Sequence, residues 1–543
     1  MLLQWYDYAI IALSLLVTLL LGLWFSRRWS RSEDFFLAGR NVTWPFIGFS
    51  LFATNISSEH FVGLAAGGHK LGLVQGGYEW IASYCILMLA LVFAPQYLKH
   101  KVFTIPEYFE KRYGIEVRMS LTVYFLIMIV LTKTAVAVFA GSIVIRDLTG
   151  WGLTEIMWGI GIFTAIYTMA GGLAAVIYTD TLQAVILIAG STVLTWVTLG
   201  EVGGWSGLVE KLEATGRLGH LSMVRPPTDP GLPFSGFLLG NFLIGGLFYW
   251  CMDQVNVQRV LGARSLNHGR GGAVFAGFLK IIPVFILVLP GVAGAVLYPT
   301  IHPNDTYSTL LRDLMPVGIR GFVIAALLAA LMSSLSSTFN SGSTLVARDL
   351  VVRFRPQTTM AVQIAVGHLA LIAVMVSGIL CAPLVGLWPT LWDYLQEVTG
   401  YLSVPFAVAG LLGVLSRRVN RSGAMAGVAA GVLAGAFLFA DSYSFFAGDP
   451  VTGSVTRTAR FFTSPYMASF LHRIFIAGVI SAATMILVSA LGPPPREEVT
   501  RGDFWLFSRS PESEGPRPPL YADYRLWAAI LFVVVTGLWV VFR

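Results

Sequence analysis

Long apolar runs separated by short polar segments dominate the chain. Runs of about eighteen or more mainly apolar residues, enough to cross a bilayer as a helix, stand at 7–26, 45–69, 77–98, 119–146, 153–170, 179–200, 237–261, 272–298, 320–350, 360–380, 390–413, 423–440, 467–490 and 525–542. The pattern predicts an all-α polytopic membrane protein with about fourteen transmembrane helices. Five runs (45–200) precede the long loop 201–236, and five more (237–413) follow it. Because five is odd, the second set enters from the opposite side. The spacing therefore predicts a five-plus-five inverted repeat with a central site formed by the first helix of each half. The expected division is 1–44 as an extra helix and loop, 45–413 as a ten-helix core, and 414–543 as accessory helices with a polar linker at 491–524.

Composition agrees. Of 543 residues, 56% are hydrophobic and 12% charged, and the mean hydropathy is +0.72. A soluble chain carries about 25% charged residues, so a water-facing shell is excluded and a lipid bilayer is the expected surroundings. Alternating the runs puts "RRWSRSEDFFLAGR", "KHKVFTIPEYFEKRYGIEVR", Arg259, Arg264, Arg270, "RDLVVRFR", "SRRVNR" and "PPPREEVTRGDFW" on one side. By the positive-inside rule that side is cytoplasmic and both termini lie outside. The net charge of +7 thus reflects topology and gives no argument for a nucleic-acid partner. Cys85, Cys251 and Cys381 lie in apolar segments and offer no disulfide framework. The N-terminus "MLLQWYDYAI" has an acid and no basic lead, so its first run is expected to be a retained span. The compact termini point to a bacterial inner membrane.

One polar stretch breaks the pattern. In "ATNISSEHFVGL", Asn55, Ser57, Ser58, Glu59 and His60 interrupt the first helix of the first half. A charged group at the bilayer centre costs ~3 kcal/mol or more, so Glu59 and His60 must face protein or water. A helix break there frees backbone carbonyls to ligate an ion or a polar solute. The plainer alternative is a polar cluster that pins neighbouring helices.

The run 320–350 holds "ALLAALMSSLSSTFNSGST", in which Ser333, Ser334, Ser336 and Ser337 share faces at i, i+3 and i, i+4 spacing. Neutral hydroxyls suit a hard cation such as Na⁺ and hold it loosely enough to release it. Small residues that allow close helix packing are the competing account. A carboxylate within reach favours the ion, and Asp180 in "GGLAAVIYTDTLQA" is the candidate. A second set matches a neutral, many-hydroxyl solute with an apolar ring face: the acceptor Glu79, the donor Lys280, the two-way amide Gln396 and the aromatics Tyr249 and Trp250. Lys280 could instead snorkel to the surface, and the aromatics could be packing residues. Lys133 has no assigned role.

Together these residues resemble the sodium/solute symporter family, closest to its sodium/glucose cotransporter branch. The resemblance runs through "EDFFLAGR", "NISSEHFVGLAAGG", "GGYEW", "FTIPEYFEKRYG", "AGGLAAVIYTDTLQ", "PTDPGLPFSGFLLG", "YWCMDQVNVQRVLGARS", "FLKIIPVFILVLPG", "ALMSSLSSTFNSGSTL" and "DYLQEVTGYL", in that order. It implies a LeuT-type fold, sodium-driven symport by alternating access, and no enzymatic activity. It implies a sodium site on the backbone oxygens of Ala53, Ile56 and Ala330 and the hydroxyls of Ser333 and Ser334. Asp180, Ser336 and Ser337 match a second sodium site, which gives two ions per sugar. Asn55, His60, Glu79, Lys280 and Gln396 match sugar-contacting positions. Leu64 and Trp392 match outer-gate positions, Tyr249 the inner gate, and Tyr78 is a further gate residue. Where bacterial galactose carriers have Gln, Asn and Ser, this chain has His60, Gly246 and Ala82. His60 and "YWCMDQV" look instead like the animal glucose carriers, so the resemblance implies a glucose-type hexose.

Rival readings are a myo-inositol or polyol symporter and a solute sensor of the same fold, although the linker is too short for an output domain. There is no H-E-x-x-H, no G-x-S-x-G and no histidine cluster with metal spacing.

Overall fold

The structure is a computed structural model describing residues 3–24, 32–387, 391–442, 461–495 and 523–543, with the isolated positions 504 and 519. Most of the outer loop 441–466 and most of the linker 491–524 lie outside the described residues. Among those described, twelve helices are long and apolar enough to span a membrane. One of them, Leu153–Val202, is 50 residues long, and Gly172 at φ 58° kinks it. It therefore covers two of the runs read from the sequence. A further span, Trp44–Asn55 followed by Ser58–Leu71, is broken into halves too short to count singly. The total is about fourteen, as the run pattern predicts.

We label the spans α1 (Trp5–Trp24), α2 and α3 (the halves Trp44–Asn55 and Ser58–Leu71), α4 (Leu73–Lys99), α5 (the short linking helix Ile105–Tyr113), α6 (Ile115–Thr149) and α7 (Leu153–Val202). The second half begins with α8 (Phe234–Cys251) and α9 (Gln254–Leu261), then α10 (Leu266–Leu297), α11 (Ile319–Val352), α12 (Met360–Gly386) and α13 (Leu391–Leu415). The chain closes with α14 (Arg421–Ser442), α15 (Phe470–Leu491) and α16 (Tyr524–Val541). The most buried span is α11, which packs along α7.

The first helix of each half is broken, and the cause is local in both. Ile56 and Ser57 are extended, and Ser57, a favoured N-cap residue, starts α3 with Glu59 in its first turn beside the positive helix end. In the second half, Asp253 caps α9 by accepting a hydrogen bond from Val255 N at 2.8 Å. The run 237–261, read as one span, is thus two elements separated at Met252–Asp253. This also corrects the placement of Arg259. Expected with the cytoplasmic loop arginines, it lies on α9 and is fully buried.

Candidate functional site

The break between α2 and α3 releases particular carbonyls. A continued helix would direct Ser57 N–H to Ala53 O and His60 N–H to Ile56 O. Here Ser57 N–H donates to His60 Nδ1 at 3.4 Å, and His60 N–H donates to Ser57 O at 2.9 Å. The oxygens of Ala53 and Ile56 are therefore among those that lose their helical donors at the break. Across from them on α11, Ser334 Oγ donates to the neighbouring carbonyl of Thr54 at 2.9 Å. Ala330 lies one turn earlier, buried within the continuous helix.

Ser333 Oγ donates to Asp180 Oδ1 at 2.6 Å, while Ser50 Oγ and Thr54 Oγ1 donate to Asp180 Oδ2 at 2.6 and 3.2 Å. Ser337 Oγ is 3.0 Å from Thr54 Oγ1, and Ser336 Oγ donates to Ser333 O at 3.0 Å. All are buried. The two oxygen sets expected from the sequence thus adjoin, with Ser333 between them. The oxygens these residues offer are neutral hydroxyls, carbonyls and one carboxylate, which suit a hard, weakly held cation. Ser50 and Thr54 were not anticipated; their i, i+4 spacing within an apolar run was the available signal. Arg259 was also missed as a neighbour, its Nη2 lying 3.8 Å from Asp180 Oδ2.

A second group surrounds a cavity of about 90 Å³ whose lining includes Asn55, His60, Glu79, Tyr249, Lys280 and Gln396. Lys280 stands where α10 is interrupted, and its Nζ donates to both Asn55 Oδ1 and Glu79 Oε2. Asn55 Nδ2 in turn donates to Tyr249 Oη at 3.0 Å. Trp250 also lines the cavity and lies under Lys280 Nζ, 5.5 Å from its ring centre. His60 accepts at Nδ1, so its Nε2 carries the proton, and that atom lies 3.9 Å from Glu79 Oε1. Lys133, without a role in the sequence reading, pairs with Asp253 at 3.1 Å and sits over the Tyr249 ring.

Trp392 packs edge-on against both His60 and Tyr78, and all three line the cavity. A Cβ at Gly63 would come within 2.7 Å of Trp392 Cε3, so the missing side chain is what lets the indole lie on α3. Leu64 is buried in the core and does not line the cavity.

Two broken helices, freed carbonyls and a polar cavity deep among apolar spans define an integral membrane transporter with the LeuT-type fold. The chain belongs to the sodium:solute symporter family, whose model matches residues 35–431. It is 35% identical to sodium/glucose cotransporter 4 of Mus musculus over 540 residues, covering 92% of this chain and 78% of that protein. It is 36% identical to sodium/myo-inositol cotransporter 2 of Sus scrofa over 535 residues, covering 91% and 78% respectively. Among solved structures, the substrate-bound, outward-open Na⁺-coupled sialic acid symporter superposes with a TM-score of 0.77 at 22% identity, covering 91% of this chain and 99% of that one. The protein is a sodium-coupled solute symporter, and its family and relatives are transporters, not enzymes.

Proposed function

We propose that the protein couples inward sodium flux to uptake of a neutral hexose of the glucose or galactose type, with two Na⁺ per sugar. The observation that carries this reading is the Lys280 ammonium held jointly by Asn55 and Glu79 at the cavity. That cluster has no net charge, and it offers both donors and acceptors beside the Trp250 face. A polyhydroxylated solute exchanges hydroxyl for hydroxyl with such a cluster, whereas a carboxylate would want a surplus cation. His60 Nε2–H and Gln396 add a donor and a two-way amide, and Trp392, Tyr78 and Tyr249 act as gates.

Residues 45–413 carry the transport core. One sodium ion binds the oxygens of Ala53, Ile56, Ala330, Ser333 and Ser334, and a second binds Asp180, Ser336 and Ser337. Sodium, by joining α2–α3 to α11, stabilises the arrangement that completes the sugar site, and by linkage the sugar tightens sodium equally. Loops rich in Lys and Arg face the cytoplasm, and both termini face outward, in a bacterial inner membrane.

The test is uptake of labelled D-glucose into proteoliposomes with an inward Na⁺ gradient, compared with K⁺. Accumulation above the outside concentration only with Na⁺ is expected. If glucose fails under both conditions while myo-inositol accumulates with Na⁺, the polyol reading replaces the hexose one. The similarity to a sodium/myo-inositol cotransporter makes that the second reading.

A further inference from the structure

Arg259 is fully buried on α9, yet the proposed transport cycle gives it no part. Its Nη1 donates to Val255 O, and its Nε points at Ser50 Oγ at 3.4 Å. Its Nη2 has no hydrogen-bond partner among the described residues and lies 3.8 Å from Asp180 Oδ2. Among the described residues, Asp180 is the one acid within ion-pair distance of this guanidinium. Ser50 touches both groups, donating to the carboxylate while facing the arginine. The carboxylate thus has a cluster of neutral hydroxyls on one side and a fixed cation, on a separate half-helix, on the other.

A buried carboxylate with one buried cation beside it is balanced, but a second cation at the same carboxylate leaves a surplus charge in a low-dielectric interior. We propose that Arg259 and the second sodium ion are alternative partners of Asp180. The guanidinium neutralises the carboxylate whenever the ion has left. This inference rests on the second sodium site proposed above.

The consequence falls on one step of the cycle. After both ions and the sugar are released, the empty carrier must return through a conformational change with Asp180 still buried. A bare carboxylate would oppose that return or draw in a stray cation, whereas Arg259 closing on it removes the charge and draws α9 toward α7. When sodium next binds, it displaces the guanidinium and loosens α9, the half-helix that follows the inner-gate tyrosine Tyr249. Arg259 is in this sense a positioning residue that makes sodium release productive. It does not contact the sugar.

The experiment uses the full-length protein. Equilibrium binding of radioactive sodium is measured for the wild type, Arg259→Gln and Arg259→Lys, together with sugar exchange and net uptake in proteoliposomes. Arg259→Gln is expected to tighten the second sodium site by about tenfold, since an internal competitor is gone. It should also slow net uptake, which needs the empty return, far more than exchange, which does not. Arg259→Lys keeps the charge on a shorter reach and should shift both readouts in the same direction by less, so it serves if the glutamine variant does not fold. A purely structural arginine would instead weaken sodium binding and depress exchange and net uptake together, and that result overturns the proposal. A wild-type stoichiometry of one ion per chain would overturn the second-site reading and this inference with it. Two ions with unchanged affinity in the variants overturns the inference alone.

Discussion

Lys280 shows how much a single side chain can organise. It holds Asn55 of α2 and Glu79 of α4 at once, so removing it leaves a buried carboxylate without its cation. Breaking such a pair from one side costs about 3–5 kcal/mol. Lys280→Ala should therefore raise the sugar half-saturation by about a hundredfold or more, read from concentration-dependent uptake, and lower the melting temperature in detergent. The double variant Lys280→Met with Glu79→Gln, which removes both charges, should recover the melting temperature without recovering uptake. At the ion cluster, Ser336→Ala removes one expected ligand of the second sodium; the measured ratio of charge to sugar should fall from two to one. These residues were legible because charge in an apolar run demands a partner, which is why Asp180, Glu79 and Lys280 stood out unaided. Ser50 and Thr54 did not, since a hydroxyl in a helix can satisfy itself on the preceding turn. Arg259 was grouped with Arg264 and Arg270 on the cytoplasmic side by charge counting, which cannot see that its own side chain is buried.

Among elements, the broken helices divide the same way. Five polar residues in six positions announced the first break. The second was concealed within "YWCMDQVNVQR", where one aspartate both caps α9 and pairs with Lys133. On the face bearing the basic loops, α5 is clasped by Arg118 of α6 and by Arg353, the residue after α11: Glu110 accepts from Arg353 Nη2 at 2.6 Å and from Arg118 Nη1. Burial alone would raise the Glu110 carboxyl, but the bonds from Arg353 and Arg118 outweigh it and hold the group below the usual carboxylate range. The clasp therefore contributes fully above that range and is lost as pH falls through the lowered value. Glu110→Gln should melt earlier than the wild type at neutral pH, with the gap closing in acid, as thermal scans at several pH values will show. At the opposite end, Asp7 of α1 accepts from Gly318 N and Gly321 N, both at 2.8 Å, and so caps α11. Asp7→Ala should cost about 1–2 kcal/mol of stability, measurable as a lower melting temperature with sodium affinity largely preserved.

For the whole molecule, the number of ions sets what the carrier can achieve. One charge falling through 100 mV yields ~2.3 kcal/mol, and a tenfold sodium gradient adds ~1.4 kcal/mol. One ion per sugar thus supports a sugar gradient of several hundredfold, and two support roughly 10⁵-fold. Steady-state accumulation in proteoliposomes under a clamped potential should reach the higher limit in the wild type and the lower one in Ser336→Ala. The overall architecture was the most legible level, because a bilayer permits few solutions and each span must declare itself by length and hydropathy. The Asp7 cap was invisible at that level, and it bears on how the chain is made. The amide that Asp7 must meet is 311 positions further along the chain. At a synthesis rate of ~5–20 residues per second, Asp7 waits on the order of 15–60 s for that partner. During that interval α1 can pack on α7, as Gly22 does against Tyr167, but its contact with α11 is still missing. A chain that ends short of Gly318 leaves the Asp7 carboxylate without its two amide donors at the start of α11, so the first span and the eleventh helix are joined only late in synthesis.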